Sequence, residues 1–285
     1  MMKISNKTKI FGILGNPLSH TLSPLIHNYL FQEYGLDGIY LVFETQNPDS
    51  TLVSLQNLNV QGLSVTIPYK EWAYSVAHKN DETSEWMKAA NTLTFQENKI
   101  LANNTDGYGA VESIKNSGNK ILHSNVVVLG SGGSARGIAY SLAKEMKQKK
   151  IYISARNKIK SLELVSLLNS TSPGISEYIP VQQIGEVKDD VSLVINTTPL
   201  GMKNYDQDIL LSEDFFSNNH TLFDIVYNPC HTPLVKLAMK RKAKIILGYE
   251  MLVYQAMKQF EIFTSIQVEK KIIEKVKTQV FKILK

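Results

Sequence analysis

The sequence predicts an α/β protein made of two successive units of alternating strand and helix, closed by a helical return. Three observations carry that prediction. In the first part of the chain, short apolar runs ended by turn residues alternate with helical patterns. A second alternating series begins at Asn125–Leu129, where an apolar run passes directly into a glycine-rich turn. From Tyr249 onward the pattern is helical.

The elements follow in order. Residues 10–14 read as a strand stopped by Gly15-Asn16-Pro17. Ser23 is expected as the N-cap of the next helix, with Pro24 at its first position. A strand over 40–43, a helix over 51–58 and a strand over 62–66, stopped by Pro68, complete a βαβαβ beginning and imply a mostly parallel sheet. Residues 90–95 and 99–102 read as a hairpin around Glu97-Asn98. The polar turn Asn104-Thr105-Asp106-Gly107 closes this region, and a helix over 108–115 leads out of it. The second series then places a helix over 135–145 and strands over 150–154, 193–196, Thr221–Asp224 and Lys244–Leu247, with an exposed loop at 169–174. The expected domains are 1–106 joined with 248–285, and 107–247.

Composition sets the class. A chain of 285 residues, 43% hydrophobic and 20% charged, can bury two modest cores. The N-terminal residues are polar, without the apolar stretch of a signal peptide, and no apolar run is long enough to span a bilayer. The single cysteine, Cys230, excludes an intrachain disulfide and is read as a buried free thiol. These features predict a cytoplasmic protein with no membrane partner. The net charge of +5 is spread out, and the densest basic stretch, Lys236 through Lys244, holds no aromatic residue, so no nucleic-acid partner is expected. An excess of cations does suit anionic small molecules.

Gly130-Ser131-Gly132-Gly133-Ser134-Ala135 lies between an apolar strand and a helix, the context in which a Gly-x-Gly-x-x-Ala string binds a dinucleotide. Gly130 makes the tight turn, Gly132 admits the pyrophosphate to the backbone, and Ala135 sits where helix meets strand. This predicts a Rossmann-like, doubly wound unit. After the next strand, Ser154-Ala155-Arg156-Asn157-Lys158-Ile159-Lys160 offers no carboxylate for a ribose 2′-hydroxyl. Arg156 and Lys160 instead suit a 2′-phosphate, so the expected cofactor is NADP.

Lys70 follows a strand and a proline, which places it at a strand's carboxyl end, where open α/β sheets bind ligands. Asp106 lies in the polar turn before the nucleotide unit, on the expected cleft. Residue pattern alone leaves both open to a structural reading, as a surface lysine and a turn aspartate.

The ordered motifs go further. Gly15-Asn16-Pro17-Leu18-Ser19-His20-Thr21-Leu22-Ser23-Pro24, Ser64-Val65-Thr66-Ile67-Pro68-Tyr69-Lys70, Ala90-Asn91-Thr92 and Asn104-Thr105-Asp106-Gly107 occur in the order seen in shikimate dehydrogenases. So do the glycine loop through Gly137, Asn196-Thr197-Thr198-Pro199-Leu200-Gly201-Met202, Asp224-Ile225-Val226-Tyr227-Asn228-Pro229 and Gly248-Tyr249-Glu250-Met251-Leu252-Val253-Tyr254-Gln255-Ala256. The chain therefore resembles the shikimate dehydrogenase family over nearly its whole length.

The resemblance implies NADPH-linked, reversible reduction of 3-dehydroshikimate to shikimate, in the pathway to chorismate and the aromatic amino acids. It implies that Lys70 and Asp106 are catalytic, and that Thr21 and Ser23 give hydroxyls to the substrate carboxylate. Asn91 and Gln255 would bind ring hydroxyls, with Thr66 and Tyr227 completing the substrate pocket. Gly130, Gly132, Gly133, Ser134, Ala135 and Thr197 would hold the cofactor with Arg156 and Lys160, while Gly248 and Met251 lie by the nicotinamide. No residue is assigned to a metal, and the family implies a monomer or a homodimer. The first expected domain then binds substrate and the second binds NADP.

Two departures from the family pattern bear on substrate preference. Thr21 stands where serine is usual, adding a methyl, and Ser64 stands where asparagine is usual, with a shorter reach to the ligand. Two rival readings are a quinate/shikimate dehydrogenase using NAD and a non-catalytic shikimate-binding sensor. The missing acid after Ser154 opposes the first. Retention of Lys70 and Asp106 opposes the second.

Overall fold

A computed structural model describes residues 4–97, 99–117, 124–145, 149–203 and 205–285. The chain divides into two compact units, Met1–Thr105 with Gln255–Val276, and Asp106–Tyr254 with Lys277–Lys285.

In the first unit β1 (Lys9–Gly15), α1 (Ser23–Glu33), β2 (Gly38–Glu44), α2 (Pro48–Asn57) and β3 (Val60–Val65) alternate as the apolar pattern predicts. Three short elements follow that the pattern does not announce: α3 (Lys70–Ser75), β4 (Lys79–Asn80) and α4 (Glu82–Met87). The hairpin is β5 (Thr92–Gln96) with β6 (Lys99–Asn103); residue 98 of its expected turn lies outside the described residues. The sheet order is β2-β1-β3-β5-β6-β4. β2 and β3 run parallel to β1, and β5 is antiparallel to both its neighbours.

Side chains alternate across this sheet, as the pleat requires. Leu14, Leu63 and Val65 pack in one core with Leu52 and Leu55 of α2 and Ala73 of α3. On the other face Phe11 stacks on Phe31 of α1 at 5.2 Å and meets Phe263 at 5.3 Å.

Ser23 is not the N-cap of α1. It is buried as the first helical residue, with Leu22 at the cap position and no side-chain cap there. The Thr21 hydroxyl accepts from the Ser23 N–H at 3.3 Å and satisfies that donor instead. Pro24 remains in the first turn, where its missing N–H costs nothing.

The second unit contains α5 (Asp106–Asn116), β7 (Asn125–Leu129), α6 (Gly133–Glu145), β8 (Ile151–Ser154), α7 (Lys158–Thr171) and β9 (Ser176–Tyr178). A 3-10 turn over Val181–Val187 leads to β10 (Val191–Asn196), β11 (Thr221–Asp224), α8 (Pro233–Lys240) and β12 (Lys244–Leu247). The division between units falls within α9 (Gly248–Thr264) and α10 (Lys270–Leu284). The strand order is β12-β11-β10-β7-β8-β9, with every pair parallel. The order reverses between β7 and β10, which makes the sheet doubly wound and opens a crevice at their carboxyl ends.

Two expectations change here. Asp106 opens α5 and does not sit in a turn before it. The loop expected at 169–174 begins later, because α7 continues through Thr171. Asn169 Nδ2 donates to the Ser176 carbonyl at 3.0 Å, and the Ser176 N–H donates back to Asn169 Oδ1 at 2.9 Å. This reciprocal pair holds a polar segment in the helix.

Candidate functional site

In the first unit the pairing register collects several strand ends along one edge. Leu14 is opposite Val65, Ser64 opposite Thr92, and Thr92 opposite Asn103. The carboxyl ends of β1, β3 and β6 therefore lie beside the start of β5. The connection after β1 leaves toward β2 and the one after β3 leaves toward β5, so the adjacent strands β1 and β3 send their connections in opposite directions, the setting in which open α/β sheets take ligands. Backbone bonds set the loops there: Thr66 N–H donates to Leu14 O at 3.0 Å, Asn16 N–H to Ile67 O at 3.0 Å, and Ala90 N–H to Lys70 O at 2.8 Å. Lys70 opens α3 and is half-buried, as are Thr21 and Thr66.

A polar network converges on Asn91, which is 1% exposed. Its Oδ1 accepts from the Thr105 N–H at 3.0 Å and from the Thr92 hydroxyl at 2.8 Å. Its Nδ2 donates to Thr105 Oγ1 at 3.0 Å and to Gln255 Oε1 at 3.1 Å. The structure thus joins directly two residues that the sequence singles out for the substrate, Asn91 and Gln255, and adds two that it does not, Thr92 and Thr105, both bonded to Asn91.

Gln259 is also part of this network and also absent from the sequence reading. The signal for it is its spacing, four residues after Gln255 on one helix face. Ser64, expected to reach toward the ligand, is buried and donates to Gln259 Oε1 at 2.7 Å. Its hydroxyl is spent on the interior.

In the second unit, Gly130 follows β7 with φ +117°, a conformation that L side chains rarely adopt. A Cβ there would lie 2.4 Å from Thr197 Oγ1. Gly132 and Gly133 are exposed and have open space where a Cβ would stand, so backbone can be approached closely. Ala135 is wholly buried, and Ser134 is half-buried in the first turn of α6. The Thr197 hydroxyl is not turned outward as a donor: it donates to Leu129 O at 2.6 Å. The cradle and the N-terminus of α6 fit a dinucleotide pyrophosphate.

Arg156 and Lys160 are exposed after β8. Asn157 caps α7 by accepting from the Lys160 N–H at 3.0 Å, which fixes Lys160 in the first helical turn. Elsewhere in this unit, Asp106 is buried at the start of α5, Tyr227 is half-buried, and burial pushes the Tyr227 hydroxyl pKa up. Gly248 opens α9 where a Cβ would lie 2.4 Å from the Ile225 carbonyl oxygen, and Met251 is buried one turn later.

Asn196 and Asp224, at the ends of β10 and β11, are locked together. Asp224 Oδ1 accepts from Asn196 Nδ2 at 2.9 Å and from the Val226 N–H at 3.1 Å, while Oδ2 accepts from the Thr232 hydroxyl at 2.6 Å. Burial raises the Asp224 pKa, and these three donors oppose the rise. Among the described residues, no helix is long and apolar enough to cross a membrane.

Residues 13–93 match the family described as shikimate dehydrogenase substrate binding domain, and residues 248–276 match the shikimate 5'-dehydrogenase C-terminal domain. A protein named shikimate dehydrogenase (NADP(+)) from Leptospira interrogans is 51% identical over 93% of this chain and 92% of its own length. Another of that name, from Methanosphaera stadtmanae, is 36% identical over 92% of this chain and 93% of its own. A shikimate dehydrogenase crystallised with NADP+ superposes with a TM-score of 0.90 at 29% identity, covering 99% of this chain and 98% of that one. The shikimate 5-dehydrogenase from Listeria monocytogenes, crystallised with shikimate and NAD, gives 0.88 at 26% identity over 97% and 98%.

Proposed function

The chain belongs to the shikimate dehydrogenase family, and we infer that it interconverts 3-dehydroshikimate and shikimate with NADP(H), the proton being handled at Lys70 and Asp106. It is an NADP-dependent oxidoreductase of the shikimate pathway. When bound, NADPH supplies the hydride. The protein must then hold the ring, neutralise the charge that develops on the ketone oxygen, and provide a proton.

We assign Lys70 the last two tasks. A lysine ammonium beside the reacting oxygen stabilises the developing alkoxide and donates to it, and the reverse reaction returns the proton to the amine. Asp106 is assigned as the second catalytic residue, a carboxylate for the same proton chemistry. Thr21 and Ser23, at the N-terminus of α1, are assigned to the substrate carboxylate, since helix N–H groups favour an anion there. Thr21 accepts from the Ser23 N–H and keeps its own hydroxyl hydrogen for donation. Asn91 and Gln255 are assigned to ring hydroxyls, and Thr66 and Tyr227 to the pocket wall.

The observation that carries the substrate assignment is the network on Asn91, which gathers Gln255 and Thr105 at the sheet edge that also holds Thr66 and Lys70. For the cofactor, Gly130, Gly132, Gly133, Ser134 and Ala135 are assigned to the pyrophosphate and Arg156 with Lys160 to the 2′-phosphate. Thr197 is assigned to the cofactor loop through its support of Gly130, and Gly248 and Met251 to the nicotinamide. Residues 1–106 with 248–285 are assigned to substrate, and 107–247 to NADP. The enzyme is taken to work in the cytoplasm as a monomer or homodimer, which cell fractionation and mass measurement in solution check.

The deciding assay follows NADPH oxidation with 3-dehydroshikimate, and then NADP and NAD reduction with shikimate and quinate. Turnover of the shikimate pair with NADP supports the reading. Preferential turnover of quinate with NAD, or binding of shikimate without turnover, replaces it.

A further inference from the structure

We propose that Gln259 is a positioning residue of the substrate site, orienting the amides of Asn91 and Gln255 from a buried place one helical turn beyond Gln255. The proposal rests on the assignment of Asn91 and Gln255 to substrate.

Gln259 is 2% exposed, and both ends of its amide are engaged. Oε1 accepts from the Ser64 hydroxyl at 2.7 Å. Nε2 donates to the Asn91 carbonyl at 2.9 Å and to Thr92 Oγ1 at 3.1 Å. The Asn91 carbonyl also accepts from the Val65 N–H at 2.8 Å, so Gln259 adds a second bond at the point where β3 meets the start of β5.

Backbone groups decide which way each amide faces. The Asn91 carbonyl can only accept, so the nitrogen of Gln259 must face it. Thr92 Oγ1 receives that nitrogen's second hydrogen and turns its own hydrogen to Asn91 Oδ1, at 2.8 Å. The Thr105 N–H can only donate, and it too faces Asn91 Oδ1, at 3.0 Å. With its oxygen so held, Asn91 directs Nδ2 to Gln255 Oε1 at 3.1 Å. Gln255 then has its oxygen engaged and turns its amide hydrogens elsewhere, which defines it as a donor to an acceptor oxygen of the ring. The run Ser64, Gln259, Thr92, Asn91, Gln255 is one directed chain of hydrogen bonds, and such chains act as a unit.

Ser64 takes its place in this account. A short side chain at that position leaves room for the long side chain of Gln259 and supplies a donor to Gln259 Oε1. Serine at 64 and glutamine at 259 are therefore a matched pair.

The test compares Gln259→Met, Ser64→Ala, their double variant, and Gln255→Ala, by steady-state kinetics with shikimate and NADP and by thermal unfolding. Gln259→Met keeps length and loses every hydrogen bond. It is expected to raise KM for shikimate by about 10-fold while KM for NADP stays within about twofold. Ser64→Ala is expected to raise the same KM less, and the double variant to match Gln259→Met alone, because both act through one chain. A purely structural role would lower the unfolding temperature and the active fraction while leaving both KM values in place, and that result overturns the proposal. If Gln259→Met does not fold, Ser64→Ala decides by the same split between the two KM values. If Gln255→Ala leaves KM for shikimate unchanged, the substrate assignment itself falls. If Gln255→Ala raises it and neither Gln259→Met nor Ser64→Ala does, only the positioning role falls.

Discussion

The carbonyl of Leu129 receives two hydrogen bonds from Thr197, one from the backbone N–H at 2.9 Å and one from the hydroxyl at 2.6 Å. This clamps the ends of β7 and β10 together at the point where the strand order reverses. Gly130 occupies the space that remains, with φ +117° and no room for a Cβ against Thr197. Gly130→Ala must therefore strain the backbone, at about 1–3 kcal/mol, and push the clamp apart at a similar cost. The expected outcome is a lower unfolding temperature together with NADP binding weakened more than about 10-fold, read by thermal melts and by titration of the cofactor.

Cofactor choice is written after β8. Because residues 154–160 contain no carboxylate and present Arg156 and Lys160 at the surface, kcat/KM should favour NADP over NAD by at least ~10-fold, about 1.4 kcal/mol. Arg156→Ala should remove most of that ratio by lowering efficiency with NADP, leaving NAD nearly unchanged. Equal efficiencies in the unaltered enzyme would contradict the assignment.

His27 gives the stability a pH dependence. It is wholly buried, with its ring stacked on Tyr40 at 4.3 Å, and burial lowers its pKa from 6.5 to about 3. Between those values the unfolded chain holds the proton and the folded chain does not, so this residue makes stability fall as pH falls. The loss starts near 6.5, approaches about 1.4 kcal/mol per pH unit, and stops growing near 3. His27→Phe keeps a ring against Tyr40 and takes up no proton. Urea unfolding at several pH values below neutrality should show a shallower acid slope for that variant.

Cys230 is buried, its thiol donating to the Tyr227 carbonyl at 3.4 Å, and burial raises its pKa. A thiol held protonated and covered is a poor nucleophile. Labelling by a soluble disulfide reagent should be slow in the native enzyme and fast once it is unfolded in urea.

Much of this architecture is legible in the sequence, and the limits have physical causes. Asn125–Leu129, Thr221–Asp224 and Lys244–Leu247 are found with their bounds, because buried parallel strands are continuous apolar runs between turn residues. Lys70–Ser75 and Glu82–Met87 are too short to show a helical period. The end of α7 is held by Asn169 on Ser176, a contact that local preference does not encode. The candidate site divides in the same way. Motifs single out Asn91 and Gln255, but Gln259 and Thr105 matter through partners that folding brings near, and Ser64 turns inward to one of them.

The central claim concerns the proton, and Lys70→Ala tests it most directly. The measurement is kcat for NADPH oxidation with 3-dehydroshikimate, taken beside NADP affinity and the unfolding temperature of the same preparation. The account predicts a fall in kcat of roughly 10²–10⁴-fold, with cofactor affinity and unfolding temperature unchanged. A folded Lys70→Ala enzyme with near-normal kcat would contradict it.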